Sequence, residues 1–91
     1  MTLSDVAIKL RLPLEELERE SLRLFLSHRL RLIESQLLEL AGKYNVQTVT
    51  ELDALVQSGK VHESNAFEDY FEFDHLEAER DAVQGLLKEI G

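Results

Sequence analysis

The chain has 91 residues, of which 44% are hydrophobic and 31% charged, and its 18 acids against 10 bases give a net charge of −8. This length allows one small domain, and the apolar residues are too many and too regularly spaced for a disordered chain. With no cysteine, disulfides and thiolate metal sites are excluded, and a small core without such staples often gains stability by oligomerising or by binding a partner.

The opening MTLSDVAIKL lacks the basic region and long apolar run of a signal peptide, and no stretch approaches ~18 uninterrupted apolar residues. A cytoplasmic protein that does not enter a membrane is expected. Residues 1–13 form a leader closed by Pro13, the one proline. It admits two DNA-reading patterns. In a helix-turn-helix, Ala7 is the small residue of the first helix, Leu12–Pro13 the turn and LEELERESL the recognition helix. That helix carries Glu15, Glu16, Glu18 and Glu20 against Arg19 and Arg23, so it would meet phosphate repulsion. In a ribbon-helix-helix, Val6, Ile8, Leu10 and Leu12 alternate with Ala7, Lys9 and Arg11 as a half-buried strand should. That fold needs a turn after about a dozen helical residues, where this chain runs on through SHRLRLIESQ. The plainer expectation is a capped strand or helical turn that packs on the longer helices after it.

Pro13 suits the first turn of a helix, and Glu15, Glu16 and Glu18 complement its dipole. From Leu14 no breaker occurs until Gly42, which is expected to end the helix at residue 42 in a left-handed conformation. Leu26, Leu30, Ile33, Leu37, Leu40 and Tyr44 recur in steps of four and three, a heptad seam. Leu17, Leu22, Leu24, Phe25, Leu32 and Leu38 widen the apolar stripe beyond what one neighbour covers. Residues 48–59, TVTELDALVQSG, are expected to form a short helix capped by Thr48 with Glu51, or by Thr50, and ended by Gly59. Residues 64–90 form the last predicted helix, capped by Ser64 or Asn65 and weakened at Gly85 by about 1 kcal/mol relative to alanine. The expected fold is all-α: one domain made of a long antiparallel helical hairpin with a short linking helix. Its surplus apolar surface points to a dimeric bundle, with Leu26, Leu30, Ile33, Leu37 and Leu40 as the oligomerisation seam.

Charge is unevenly spread. Residues 1–32 hold six bases and five acids, and residues 33–91 hold four bases and thirteen acids. The second part would repel nucleic acid and anionic lipid and attract a basic protein surface. It contains HESNAFEDYFEFDHLEAERD, in which Phe67, Tyr70, Phe71 and Phe73 sit among acids that include Glu68, Asp69, Glu72 and Asp74. At about 100° per residue these four rings cannot all face one way, so some are available to a partner when the others enter the core. Aromatic anchors ringed by carboxylates suit a basic groove, such as a nuclease cleft built to hold phosphates. Phe67, Glu68, Asp69, Tyr70, Phe71, Glu72, Phe73 and Asp74 are the predicted partner-binding residues.

The succession PLEELERESLRLFL, KYNVQTVTELDALVQSGKV and FEDYFEFDHLEAERD resembles small acidic helical proteins of prokaryotes that occur beside toxin genes and are regarded as antitoxins. The resemblance covers nearly the whole chain. It implies neutralisation of a cognate toxin by covering its active surface. Two alternatives remain: a structural coiled-coil oligomerisation module, and a ferritin-like metal-binding dimer. The second rests on Glu72 and His75, a Glu-x-x-His pair that Glu34 or Glu39 of the first helix would complete. No cofactor is expected. Without cysteine, a Gly-rich phosphate loop or a nucleophile motif, and with Ser27 and His28 adjacent and pointing about 100° apart, catalysis is not expected either.

Overall fold

A computed structural model describes the backbone of residues 1–91 and every side chain except those of Glu63 and Asn65. The described chain is all helix and irregular connection, without strands: α1 (Leu3–Leu10), α2 (Leu14–Tyr44), α3 (Val49–Gln57) and α4 (Glu63–Ile90). Helices α2 and α4 pack antiparallel as a hairpin, and α3 lies in the connection and packs on α4. The molecule is a rod of 61 × 23 × 16 Å.

The leader is a two-turn helix, not a strand. Thr2 and Asp5 form a reciprocal capping box: the Asp5 N–H donates to Thr2 Oγ1 (3.2 Å) and the Thr2 N–H to Asp5 Oδ2 (3.0 Å). Two of the helix's orphan donors are thereby satisfied, which outweighs the weak alternation from Val6 to Leu12. Arg11 closes α1 in the left-handed conformation at φ 58°. The ribbon-helix-helix reading is therefore overturned. Ala7, 4% exposed, is the buried residue of α1, whose one strong packing partner is the start of α2.

Helix α2 does not stop at Gly42. It continues to Tyr44 and turns at Asn45, which takes the left-handed conformation at φ 55° while the Val46 N–H donates to the Ala41 carbonyl (3.0 Å). Asparagine tolerates this conformation better than other non-glycine residues. Val46 is buried immediately beyond it, so the helix ends where the next apolar residue can enter the core. The two extra residues, Lys43 and Tyr44, are the ones that reach Asp69 of α4. In α3, Thr48 Oγ1 accepts from the Glu51 N–H (3.2 Å), while the Glu51 carboxylate reaches past Thr48 to the Gln47 N–H (2.7 Å). The Glu77 carboxylate of α4 accepts from the Val49 N–H (3.1 Å) and satisfies another donor at the same helix start. Gly59 takes φ +80° after α3. Helix α4 is capped by His62, whose Nδ1 accepts from the Ser64 N–H (3.3 Å), so Ser64 sits inside the first turn. The Asn65 side chain, the other expected cap, lies outside the described residues.

The core shows how the heptad seam is used. Leu26, Ile33, Leu37 and Leu40 are buried with Val46, Val49 and Leu52 against Phe73, Leu76 and Val83 of α4, and Leu30 packs on the same cluster. The seam expected to join two copies is instead covered by helices of its own chain. The reason is register: the steps of three and four in α2 meet the 73, 76, 80, 83, 87 rhythm of α4, and a hairpin brings them together without the entropy of association. Arg29 pairs with Glu79, and Lys43 with Asp69 at 2.5 Å, on the exposed margins of this contact.

Candidate partner-binding surface

The first three turns of α4 divide their rings between inside and outside. Phe73, 1% exposed, is the largest fully buried side chain and belongs to the hairpin core. Phe67 and Phe71 are 57% and 55% exposed. With Phe73 set at zero, they lie about 120° and 160° around the helix. They are one turn apart and pack edge to face, with centroids at 4.9 Å and ring planes at 78°. Tyr70, half-buried against the core, meets Phe71 edge-on at 5.7 Å. The three rings form a ridge beside a groove of about 230 Å³ whose other wall is α3, through Asp53 and Val56. Ala66 forms the floor and is 2% exposed; a larger residue there would hold α3 and α4 apart.

The carboxylates of this segment also separate. Glu68 and Asp74 are exposed, lie at either side of the ridge and make no ion pair among the described residues. Glu72 is exposed on the other flank, in a polar groove with Gln36, Glu39 and Lys43. Asp69 points back to α2, where its Oδ2 accepts from Lys43 Nζ and from the Tyr44 hydroxyl, each at 2.5 Å. The Lys43 and Tyr44 bonds hold the Asp69 carboxyl below its ordinary range. The bond to Asp69 raises Lys43, and burial, with that same carboxylate, raises Tyr44. Asp69 thus fastens the connected end of the hairpin, beneath the ridge. Of the eight residues expected to bind a partner, the structure brings Phe67, Tyr70 and Phe71 together at one groove and leaves Glu68 and Asp74 exposed on the flanks of the same turns. It puts Phe73 in the core, Asp69 in the fastening and Glu72 in a separate groove.

Sequence reasoning missed Asp53 and Val56. They belong to the wall opposite the rings, and only the packing of α3 on α4 brings them there. Asp53 lies at the groove edge, its Oδ2 accepting from Gln57 Nε2 at 2.9 Å. A carboxylate facing three rings across a groove is an arrangement that attracts a cationic side chain, through Coulomb attraction and the electron-rich ring faces.

The metal arrangement does not assemble. His75 faces Glu79, with Nε2 and Oε2 at 3.5 Å, Glu34 lines a different groove beside Arg80, and Glu39 stands across from Glu72 without an imidazole. Among the described residues no three metal-ligating side chains converge. No described helix is long and apolar enough to cross a membrane.

The model of the Uncharacterized protein MJ0235 family matches residues 1–91. The chain belongs to that family. No curated protein and no solved structure matches it. The MJ0235-family match spans the leader, the hairpin and the ridge together, so all four helices belong to one unit of sequence.

Proposed function

We propose that this chain is an antitoxin-like binding module that neutralises a basic partner protein by docking the outer ridge of α4 on it. The observation that carries this reading is the pair Phe67 and Phe71, more than half exposed, edge to face, at a groove shared with Asp53 and on turns of α4 that also expose Glu68 and Asp74. A hairpin gains nothing in water from presenting two phenyl rings, whereas a partner that covers them gains apolar burial. About half of each ring's ~200 Å² is still accessible, and at ~25 cal/mol per Å² its burial contributes about 2.5 kcal/mol per ring before the costs of association. The surrounding carboxylates would steer the encounter with a cationic cleft, such as the phosphate-binding cleft of a nuclease toxin. The work is binding, with no catalytic step and no cofactor.

Co-expression of the chain with the product of the adjacent gene tests this. Host growth should be relieved and the two proteins should co-purify, while Phe67→Ala with Phe71→Ala should abolish both effects without loss of helicity. Unrelieved toxicity with no complex would refute the proposal. So would full relief by the double variant, which would place the contact elsewhere.

A further inference from the structure

The most apolar surface of the molecule lies at the opposite end from the ridge. Ten of the fourteen exposed large hydrophobic residues fall in the first 32 positions. Of the nine from Leu3 to Leu32, Leu22 stands beside Glu89 and Ile90 of α4, and the other eight, on α1, the connection and the rest of α2, expose roughly 800 Å² in sum, comparable to the ~800 Å² each partner contributes to a stable interface. Their placement on α2 is ordered. Leu17 and Leu24 lie about 180° and 160° from the core residue Leu26, on the side turned away from α4. Leu17 and Ser21 are half-buried, with α1 as their cover, whereas Leu24 (68% exposed), Phe25 (64%) and Leu32 (47%) continue the stripe uncovered. On α1, Ile8 and Leu10 are exposed in turn.

The charges beside this stripe select its occupant. Residues 14–20 carry four glutamates and Arg19, a balance of −3, and residues 21–33 carry Arg23, Arg29 and Arg31 with no acid, a balance of +3. Arg23 pairs with Glu20 at 2.7 Å and Arg29 with Glu79, but Arg31, Glu15, Glu16 and Glu18 make no ion pair among the described residues. Glu15, Glu18 and Arg19 line a groove with Glu89 and Ile90 of α4 and Arg29 is held by Glu79, so the flank of the stripe carries Glu16 and Glu20 at one end and Arg23 and Arg31 at the other, an order complementary to itself turned end for end.

We propose that two copies of the chain pair antiparallel through the outer face of α2, about a two-fold axis near Arg23–Leu24. Each α1 then covers Leu24, Phe25 and Leu32 of the other copy, and each Arg31 lies beside the other copy's Glu16. The contact is isologous and closes at two copies. Parallel pairing would set glutamates on glutamates and arginines on arginines. Tyr44 is 21 residues from the axis, so at 1.5 Å per residue the two aromatic ridges stand roughly 30 Å to either side of it, both free.

Sedimentation of the full-length chain without any partner, across a concentration series, tests this independently of the ridge. A dimer is expected. Leu24→Glu, at an exposed position, should weaken it at least tenfold with helicity unchanged, and Phe25→Glu should do the same. A monomer at every concentration, or a dimer that neither variant weakens, would overturn the proposal. Because the chain has no cysteine, orientation is read from introduced ones. A mixture of Glu16→Cys and Arg31→Cys chains should form the mixed disulfide in preference to either homodimer. Preferential Glu16→Cys self-linking would overturn the antiparallel arrangement.

Discussion

Phe71→Ala and Phe73→Ala remove the same ring two residues apart on one helix, and their consequences should differ severalfold. Phe73 is 1% exposed in the hairpin core that α2, α3 and α4 share. Its truncation forfeits the transfer free energy of a buried ring and leaves a cavity that rigid neighbours on two helices cannot fill, a cost of about 3–5 kcal/mol. A domain of this length is stable by about 5–14 kcal/mol, so that loss is a large part of the total. Phe71 keeps 55% of its surface in water and touches Phe67 and Tyr70 edge-on. Removing it costs about 0.5–1.5 kcal/mol, partly offset by the helix preference of alanine. Urea unfolding followed by far-ultraviolet circular dichroism reads both. With a slope near ~1 kcal/mol per molar urea, the midpoint should fall by about 3 M or more for Phe73→Ala and by about 1 M or less for Phe71→Ala. Equal destabilisation by the two variants would mean that the rings are not divided between core and surface, and Phe71 would lose its claim to be a binding residue.

Gly42 and Gly85 both lie inside helices, and neither has an atom within 4 Å of where a Cβ would stand, so Gly42→Ala and Gly85→Ala should each stabilise the chain by about 0.5–1 kcal/mol in thermal melts. Destabilisation of Gly42→Ala would contradict the continuation of α2 to Tyr44. Tyr44→Phe should cost about 1 kcal/mol at neutral pH by removing the hydroxyl that donates to Asp69. The fastening also sets a pH window. Asp69 has a lowered folded pKa, so its contribution is complete above its ordinary value of 3.8 and is lost as pH falls through the folded value. Lys43 and Tyr44 have raised folded values, so theirs is complete below 10.5 and 10.0 and is lost as pH rises through the folded values. Asp69→Asn should therefore be less stable than the parent between about pH 4 and pH 10, and acid titration should bring the two together; a constant gap down to pH 2 would contradict the assigned bonds.

The hairpin was legible because its signal is periodic. The steps of three and four in Leu26–Tyr44 and in Phe73–Ile90 each describe one face, and two such faces separated by a short connection have one simple way to meet. What periodicity could not say was whether α2's seam met its own chain or a copy, because a heptad pattern is the same in both cases. The leader was misread as a possible strand because seven residues of alternation, Val6 to Leu12, compete with a helix of only eight. The Thr2-x-x-Asp5 box was the deciding cue, with aspartate in the place usually held by glutamate or glutamine. The end of α2 was misplaced because Gly42 is the stronger local stop; Asn45 takes its role once Val46 is needed in the core. At the candidate surface, the 100° rotation per residue separates Phe71 from Phe73 on paper, but which of them enters the core depends on Leu76 and Val83 further along α4. Asp53 and Val56 could not be associated with the rings before α3 was seen against α4.

The central claim is that the outward rings of α4 are a partner's landing site and not a by-product of folding. Its most direct measurement is the affinity of the adjacent gene's product for the parent chain and for the Phe67→Ala, Phe71→Ala double variant, with both chains shown to be equally helical. Loss of about 2.5 kcal/mol per ring before offsetting costs should weaken binding by at least a hundredfold. An affinity unchanged within a factor of two would contradict the claim.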